Sequence, residues 1–127
     1  MSTETLPTAA APAWPTEIRV RKGGQVLAVT FDDGKAYELS AEYLRIASPS
    51  AEVRGHTPAE KQTVPGKRNV AIRELVPTGN YAVRIVFDDT HQTGIYTWAY
   101  LHELGAEEPR IWGAYLAELA AKSLSRG

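Results

Sequence analysis

The sequence predicts an α+β domain in two layers, antiparallel β-hairpins and a meander packed with short helices and a C-terminal amphipathic helix. Three observations predict it. Short runs alternate polar and apolar residues, the period of a half-buried strand, and end at Gly or Asp-rich turns. Two of these runs lead into a Ser or Thr followed by a Tyr-Leu helix start. The last segment carries an apolar stripe at helical spacing.

Glu17–Arg21 alternates and reads as a first strand. Lys22-Gly23-Gly24-Gln25 is a turn, its glycines free to take positive φ. Val26–Phe31 is the return strand, Asp32-Asp33-Gly34 a second hairpin signal, and Lys35–Leu39 a third strand with Tyr37 and Leu39 on one face. Ser40 caps a short helix carrying Tyr43 and Leu44. Thr57–Gly66 is polar and broken by Pro58 and Pro65, so it reads as a mobile loop. Asn69–Val76 is a fourth strand and Pro77-Thr78-Gly79-Asn80 a turn. Tyr81–Phe87 is the clearest strand, with Tyr81, Val83, Ile85 and Phe87 on one face. Asp88-Asp89-Thr90-His91 turns the chain, and Gln92–Tyr96 returns. Thr97 caps a helix with Trp98, Leu101 and Leu104, and Gly105 is its expected stop. Pro109 opens the last helix, striped by Ile111, Trp112, Tyr115, Leu116 and Leu119.

The order strand, acidic turn, strand, cap and Tyr-Leu helix thus occurs twice. Val29–Gly34 followed by Ser40–Leu44 is echoed by Val86–Asp89 followed by Thr97–Leu101, and the two copies read as similar hairpin-plus-helix units packed together. Ahead of them, the first 15 residues are rich in Ala, Pro and Thr and read as a disordered tail, leaving one domain over residues 16–124.

Composition narrows function. The 127 residues are 43% hydrophobic and 23% charged with a net charge of −1, so bulk attraction to nucleic acid or anionic membrane is not indicated. The absence of cysteine removes disulfides, thiolate catalysis and Cys-ligated zinc or iron–sulfur clusters. No phosphate-binding glycine loop, nucleophile elbow or His-x-Asp/Glu pair is present. The expectation is a cytoplasmic protein with no catalytic residues, no cofactor and no membrane contact. His102, beside Glu103, reads as a surface residue. Asp88, Asp89 and His91 are close enough for a weak metal site, although ordinary hairpin chemistry explains them better.

The stretch that bears most on function runs from Tyr43-Leu44-Arg45 through Ser48-Pro49-Ser50-Ala51-Glu52-Val53-Arg54-Gly55-His56. Ser48 suits a helix cap, Pro49 the first helical position, Glu52 the first turn and Gly55 a left-handed stop. Arg45, Ser48, Ser50, Glu52, Arg54, His56 and His91 form the candidate functional surface. From Arg54 to Arg73 five basic residues face one acidic one. Lys61, Lys67 and Arg68 are therefore candidates for docking an anionic partner, with a solvated loop as the plainer reading. The loop lacks the aromatics on which nucleic-acid bases stack.

With Asn80–Ile85, Phe87–His91 and Thr93–Trp98, this stretch resembles the gamma-butyrobetaine hydroxylase-like N-terminal domain family over roughly residues 14 to 106. The resemblance implies a small α+β domain, here a stand-alone bacterial member. In carnitine-pathway oxygenases such a domain precedes a separate catalytic jelly roll, and elsewhere it is fused to scaffolds of iron–sulfur assembly. The oxygenase version holds zinc through Cys-x-Cys-x-x-Cys and a later His. Those positions match Ser48, Ser50, Val53 and His91, so only His91 carries over and no zinc is expected. Two of the substitutes keep hydrogen-bonding chemistry. His91 is therefore expected against the Ser48–Val53 turn, with Val53 filling the metal's space.

The functional expectation is a non-catalytic interaction module with a protein partner, associated with iron–sulfur or other metal-cofactor proteins. The rival is a substrate-side domain or subunit of a 2-oxoglutarate-dependent oxygenase encoded elsewhere.

Overall fold

The computed structural model describes residues 13–50 and 63–127. Two three-stranded antiparallel sheets form the frame. The first is β1 (Pro15–Arg21), β2 (Val26–Phe31) and β3 (Ala36–Ser40), in that order, followed by helix α1 (Ala41–Ile46). The second is β4 (Ile72–Thr78), β5 (Ala82–Phe87) and β6 (Ile95–Thr97), followed by α2 (Trp98–Ala106) and then α3 (Glu108–Ala121).

The echo in the sequence is an echo in the fold. Register slips by one residue between Pro15 and Glu17, and again between Ile72 and Glu74, so each leading strand carries a bulge at the same place. Asp32 Oδ1 accepts the Trp14 N–H at 3.2 Å, and Asp88 Oδ1 accepts the Ala71 N–H at 3.1 Å. Asp33 and Asp89 each accept the N–H two residues on, at 2.9 and 3.0 Å, closing both hairpin turns. Ser40 Oγ accepts the Tyr43 N–H at 3.0 Å, and Thr97 Oγ1 accepts the Tyr100 N–H at 3.1 Å. These caps satisfy helix-start donors that would otherwise lack partners.

The two units lock together reciprocally. Tyr43 of α1 donates to the Leu104 carbonyl at 2.7 Å, and Tyr100 of α2 donates to the Ala47 carbonyl at 2.6 Å. The two tyrosines hold equivalent places after their caps, and so do the two carbonyls, which makes the units related by an approximate two-fold. Burial pushes the Tyr43 hydroxyl well above the ordinary tyrosine range, so it remains a donor. Tyr96 adds a third such bond, to the Leu44 carbonyl.

The core fills the space between these elements. Leu27, Val29, Phe31 and Leu39 face it from the first sheet, and Val83, Ile85, Phe87 and Tyr96 from the second. Tyr43, Leu44, Leu101 and Leu104 come from α1 and α2, and Tyr115 and Leu119 from α3.

Several sequence expectations are corrected. Trp14 and Pro15 belong to the domain rather than to a tail, because β1 begins at Pro15 and Trp14 pairs with Asp32. Strand β4 continues through Pro77 to Thr78, which an edge strand permits. Tyr81 therefore falls in the turn, 52% exposed, instead of joining the core face of Val83, Ile85 and Phe87. The return strand is shorter than Gln92–Tyr96, pairing only over Ile95–Thr97. Gly105 lies inside α2 and does not end it. A Cβ there would meet the Tyr37 ring at 2.3 Å, so the glycine serves close packing. Leu116 of the α3 stripe is exposed, whereas Tyr115 and Leu119 are buried. Of the loop expected to be mobile, the described end is anchored: Val64 O accepts the Tyr115 hydroxyl at 2.6 Å and Thr63 donates to Glu118 at 3.1 Å.

Candidate functional site

The end of α1, the turn that follows it and the β5–β6 hairpin meet in one polar cluster. Arg45 sits in the last turn of α1 and donates from Nε to Asp89 Oδ2 at 2.9 Å. Lys67 Nζ reaches the same oxygen at 2.6 Å. Burial would raise the Asp89 carboxyl pKa, but the bonds from Lys67, the His91 N–H and Arg45 outweigh it and hold the group at about 2. Arg45 Nη1 is buried without a hydrogen-bond partner among the described residues.

One step along the hairpin, Ser48 Oγ and His91 Nε2 lie 2.9 Å apart, and which of them donates follows the imidazole tautomer. Ser48 Oγ also accepts the Ser50 N–H at 3.2 Å, the bond two residues on that a capping Ser makes. Ser50 Oγ pairs with Thr93 Oγ1 at 2.7 Å. Ser48 is fully buried, and Ser50 and His91 nearly so. Gly94 makes the approach possible, since a Cβ there would lie 2.5 Å from Ser48 Oγ.

The structure thus gathers Arg45, Ser48, Ser50 and His91, four of the candidate surface residues, but into an interior link rather than an open surface. Lys67 turns inward to Asp89, while Arg68 stays exposed and its N–H donates to the Arg126 carbonyl at 2.9 Å. Glu52, Val53, Arg54, His56 and Lys61 lie outside the described residues. Asp88, Asp89 and His91 do not converge: Asp88 bonds Ala71, Asp89 bonds the two cations, and His91 faces Ser48. Among the described residues no group of three His, Asp or Glu is placed to hold a metal, and no helix is long and apolar enough to cross a membrane. His102 is more than a surface residue. It pairs with Asp33 at 2.7 Å and packs edge-on against Phe31.

Two members of the cluster, Thr93 and Gly94, are not among the candidate site residues, although they open the family-like stretch Thr93–Trp98; only the fold shows that they meet Ser50 and Ser48.

The geometry defines a class: a duplicated hairpin-and-helix domain whose second hairpin is tied to the turn after α1 by buried polar side chains. Residues 18–102 match the family model described as gamma-butyrobetaine hydroxylase-like, N-terminal. The chain belongs to that family. A solution NMR structure is 40% identical over 91% of this chain and 91% of its own, with a TM-score of 0.78. A second NMR structure is 40% identical over 99% of this chain and 90% of its own, with a TM-score of 0.77. A crystal structure from Acidithiobacillus ferrooxidans ATCC 23270, of a DUF971-family protein of unknown function, is 42% identical. It covers 73% of this chain and 93% of its own, with a TM-score of 0.61. No curated protein matches the chain.

Proposed function

We propose that the domain is a non-catalytic interaction module that serves iron–sulfur or other metal-cofactor proteins. The observation that carries the non-catalytic part is the burial of Ser48 with its hydroxyl bonded to Ser50 and His91. A nucleophile or proton-transfer group must come within hydrogen-bond reach of its substrate, and this hydroxyl is enclosed by the chain's own groups. Asp89 is likewise held by Arg45, Lys67 and the His91 N–H. Such a network joins elements of the fold and leaves the exposed surface for recognition. The tie to metal-cofactor proteins rests on the family resemblance.

The test is affinity capture on the immobilised chain followed by mass spectrometry. Reproducible recovery of an iron–sulfur or metal-cofactor protein supports the reading. A second reading, a substrate-side domain or subunit of a 2-oxoglutarate-dependent oxygenase, is favoured by the family's description. Capture of such an oxygenase would move the assignment there. Iron-dependent succinate production from 2-oxoglutarate and gamma-butyrobetaine by the pure chain alone would overturn both.

A further inference from the structure

The repeat breaks in the first turn of α1. Glu42 of α1 stands where α2 has Ala99, and unlike most carboxylates it is buried. Its partner comes from far along the chain. Arg126 donates to it in a fork, Nε to Oε2 at 2.8 Å and Nη2 to Oε1 at 2.7 Å. The guanidinium also lies over the Trp112 ring, 5.3 Å from its centroid. Backbone bonds complete the seat: the Gly66 N–H donates to Ser125 O and the Arg68 N–H to Arg126 O, both at 2.9 Å.

The two sides of this contact differ in how firmly they are held. Glu42 and Trp112 belong to helices whose residues pack into the core. Ser125 and Gly127 are exposed and Arg126 is only part-buried. Beyond Leu124, whose N–H bonds Leu119, the bonds of residues 125–127 among the described residues run to the Gly66–Arg68 strip, to Glu42 and to one another. A segment with few buried apolar contacts opens at low cost. When it opens, it leaves a buried carboxylate beside an indole face, with backbone donors alongside. A planar fork of donors that also stacks on an aromatic face fits that arrangement, and the ammonium of lysine does not fit it equally well.

We propose that Glu42, Trp112 and the Gly66–Arg68 strip form a recognition site for an arginine in an extended peptide of a partner protein. Residues 125–127 occupy it in cis as a displaceable strap. The proposal rests on the reading of the chain as an interaction module, and it names that module's recognition chemistry.

The test uses the full chain, ¹⁵N-labelled, with Arg126→Ala to release the strap. It is titrated with a capped peptide of residues 124–127, Leu-Ser-Arg-Gly, and with versions carrying Ala or Lys for Arg. The arginine peptide is expected to shift the Glu42, Gly66 and Arg68 amides and the Trp112 indole N–H. The Ala and Lys peptides should bind about tenfold more weakly or not at all, and so should the arginine peptide on the wild-type chain, whose site is filled. Arg126→Lys covers the case in which Arg126→Ala does not fold, and it should bind the arginine peptide better than wild type does. Adding Glu42→Gln should abolish binding. Equal binding of the three peptides, or no binding to either Arg126 variant, overturns the site. Partner capture that is unchanged by Arg126→Ala while the peptide fails to bind would leave the interaction module standing and remove only this site. Peptide binding with no partner captured would do the reverse.

Discussion

Two ends of the molecule start from one plan and are finished differently. At one end Arg45 leaves α1 for Asp89 in the second hairpin, and at the other His102 leaves α2 for Asp33 in the first. These residues correspond through the repeat. What seals each end does not correspond. Over Gly105 lies the Tyr37 ring, edge-on to Phe31 and His102 at centroid distances of 6.2 and 5.6 Å. At the matching place Gly94 stands in for Tyr37 and Ser48 for Gly105, and the gap is closed by the Ser48, Ser50, His91 and Thr93 side chains. The glycine has changed sides. Caps, bulges and reciprocal tyrosine bonds set the frame, so the sealing groups are free to be aromatic at one end and polar at the other.

The largest effects should come from what the two units share. Phe31→Ala and Phe87→Ala remove fully buried rings at equivalent positions, and each should cost about 3–5 kcal/mol in urea unfolding. A loss confined to one of them would break the equivalence of the two cores.

The glycines sharpen the contrast. Gly105→Ala drives a methyl into the Tyr37 ring and should cost about 3 kcal/mol, the upper end of overpacking. Gly94→Ala meets the Ser48 hydroxyl instead, so Ser48→Ala in the same chain should recover part of its loss, whereas it should recover none of the loss of Gly105→Ala. Additive losses for Gly94→Ala and Ser48→Ala would contradict the close approach.

Acid separates the ends next. The Asp89 carboxyl is held at about 2, below its ordinary 3.8, so its contribution is present in full above the unfolded value and is lost as pH falls toward 2. The difference in unfolding free energy between wild type and Asp89→Asn should therefore shrink by about 2 kcal/mol between pH 6 and pH 2. Asp33 is also lowered, chiefly by the Lys35 N–H, with burial opposing and His102 adding to the lowering. It is far more open to solvent than Asp89, so Asp33→Asn should show a weaker dependence of the same sign. A larger dependence at Asp33 would reverse the assignment of the tighter end.

Much of this was legible in the residues. Period-two runs, Asp-rich turns and Ser or Thr caps are local signals, and they placed five of the six strands and all three helices to within a few residues. The short β6 begins later than Gln92, at Ile95, because Thr93 and Gly94 meet the turn after α1. Tyr81 and Gly105 were misread for a related reason. Local pattern cannot show that a strand yields to a turn one residue early, or that a glycine faces a ring from the other unit. The pairing of Ser48 with His91 was legible through the family resemblance, not through spacing. Glu42 stands opposite Ala99 in the repeat, but its partner Arg126 lies 84 residues along the chain, a distance that local pattern does not span.

The most direct test of the polar link between the turn after α1 and the second hairpin is a double-mutant cycle on Ser48→Ala and His91→Gln, read by urea unfolding. The two side chains share one buried hydrogen bond of 2.9 Å. A coupling of about 1 kcal/mol is the predicted result. Coupling indistinguishable from zero would contradict the link.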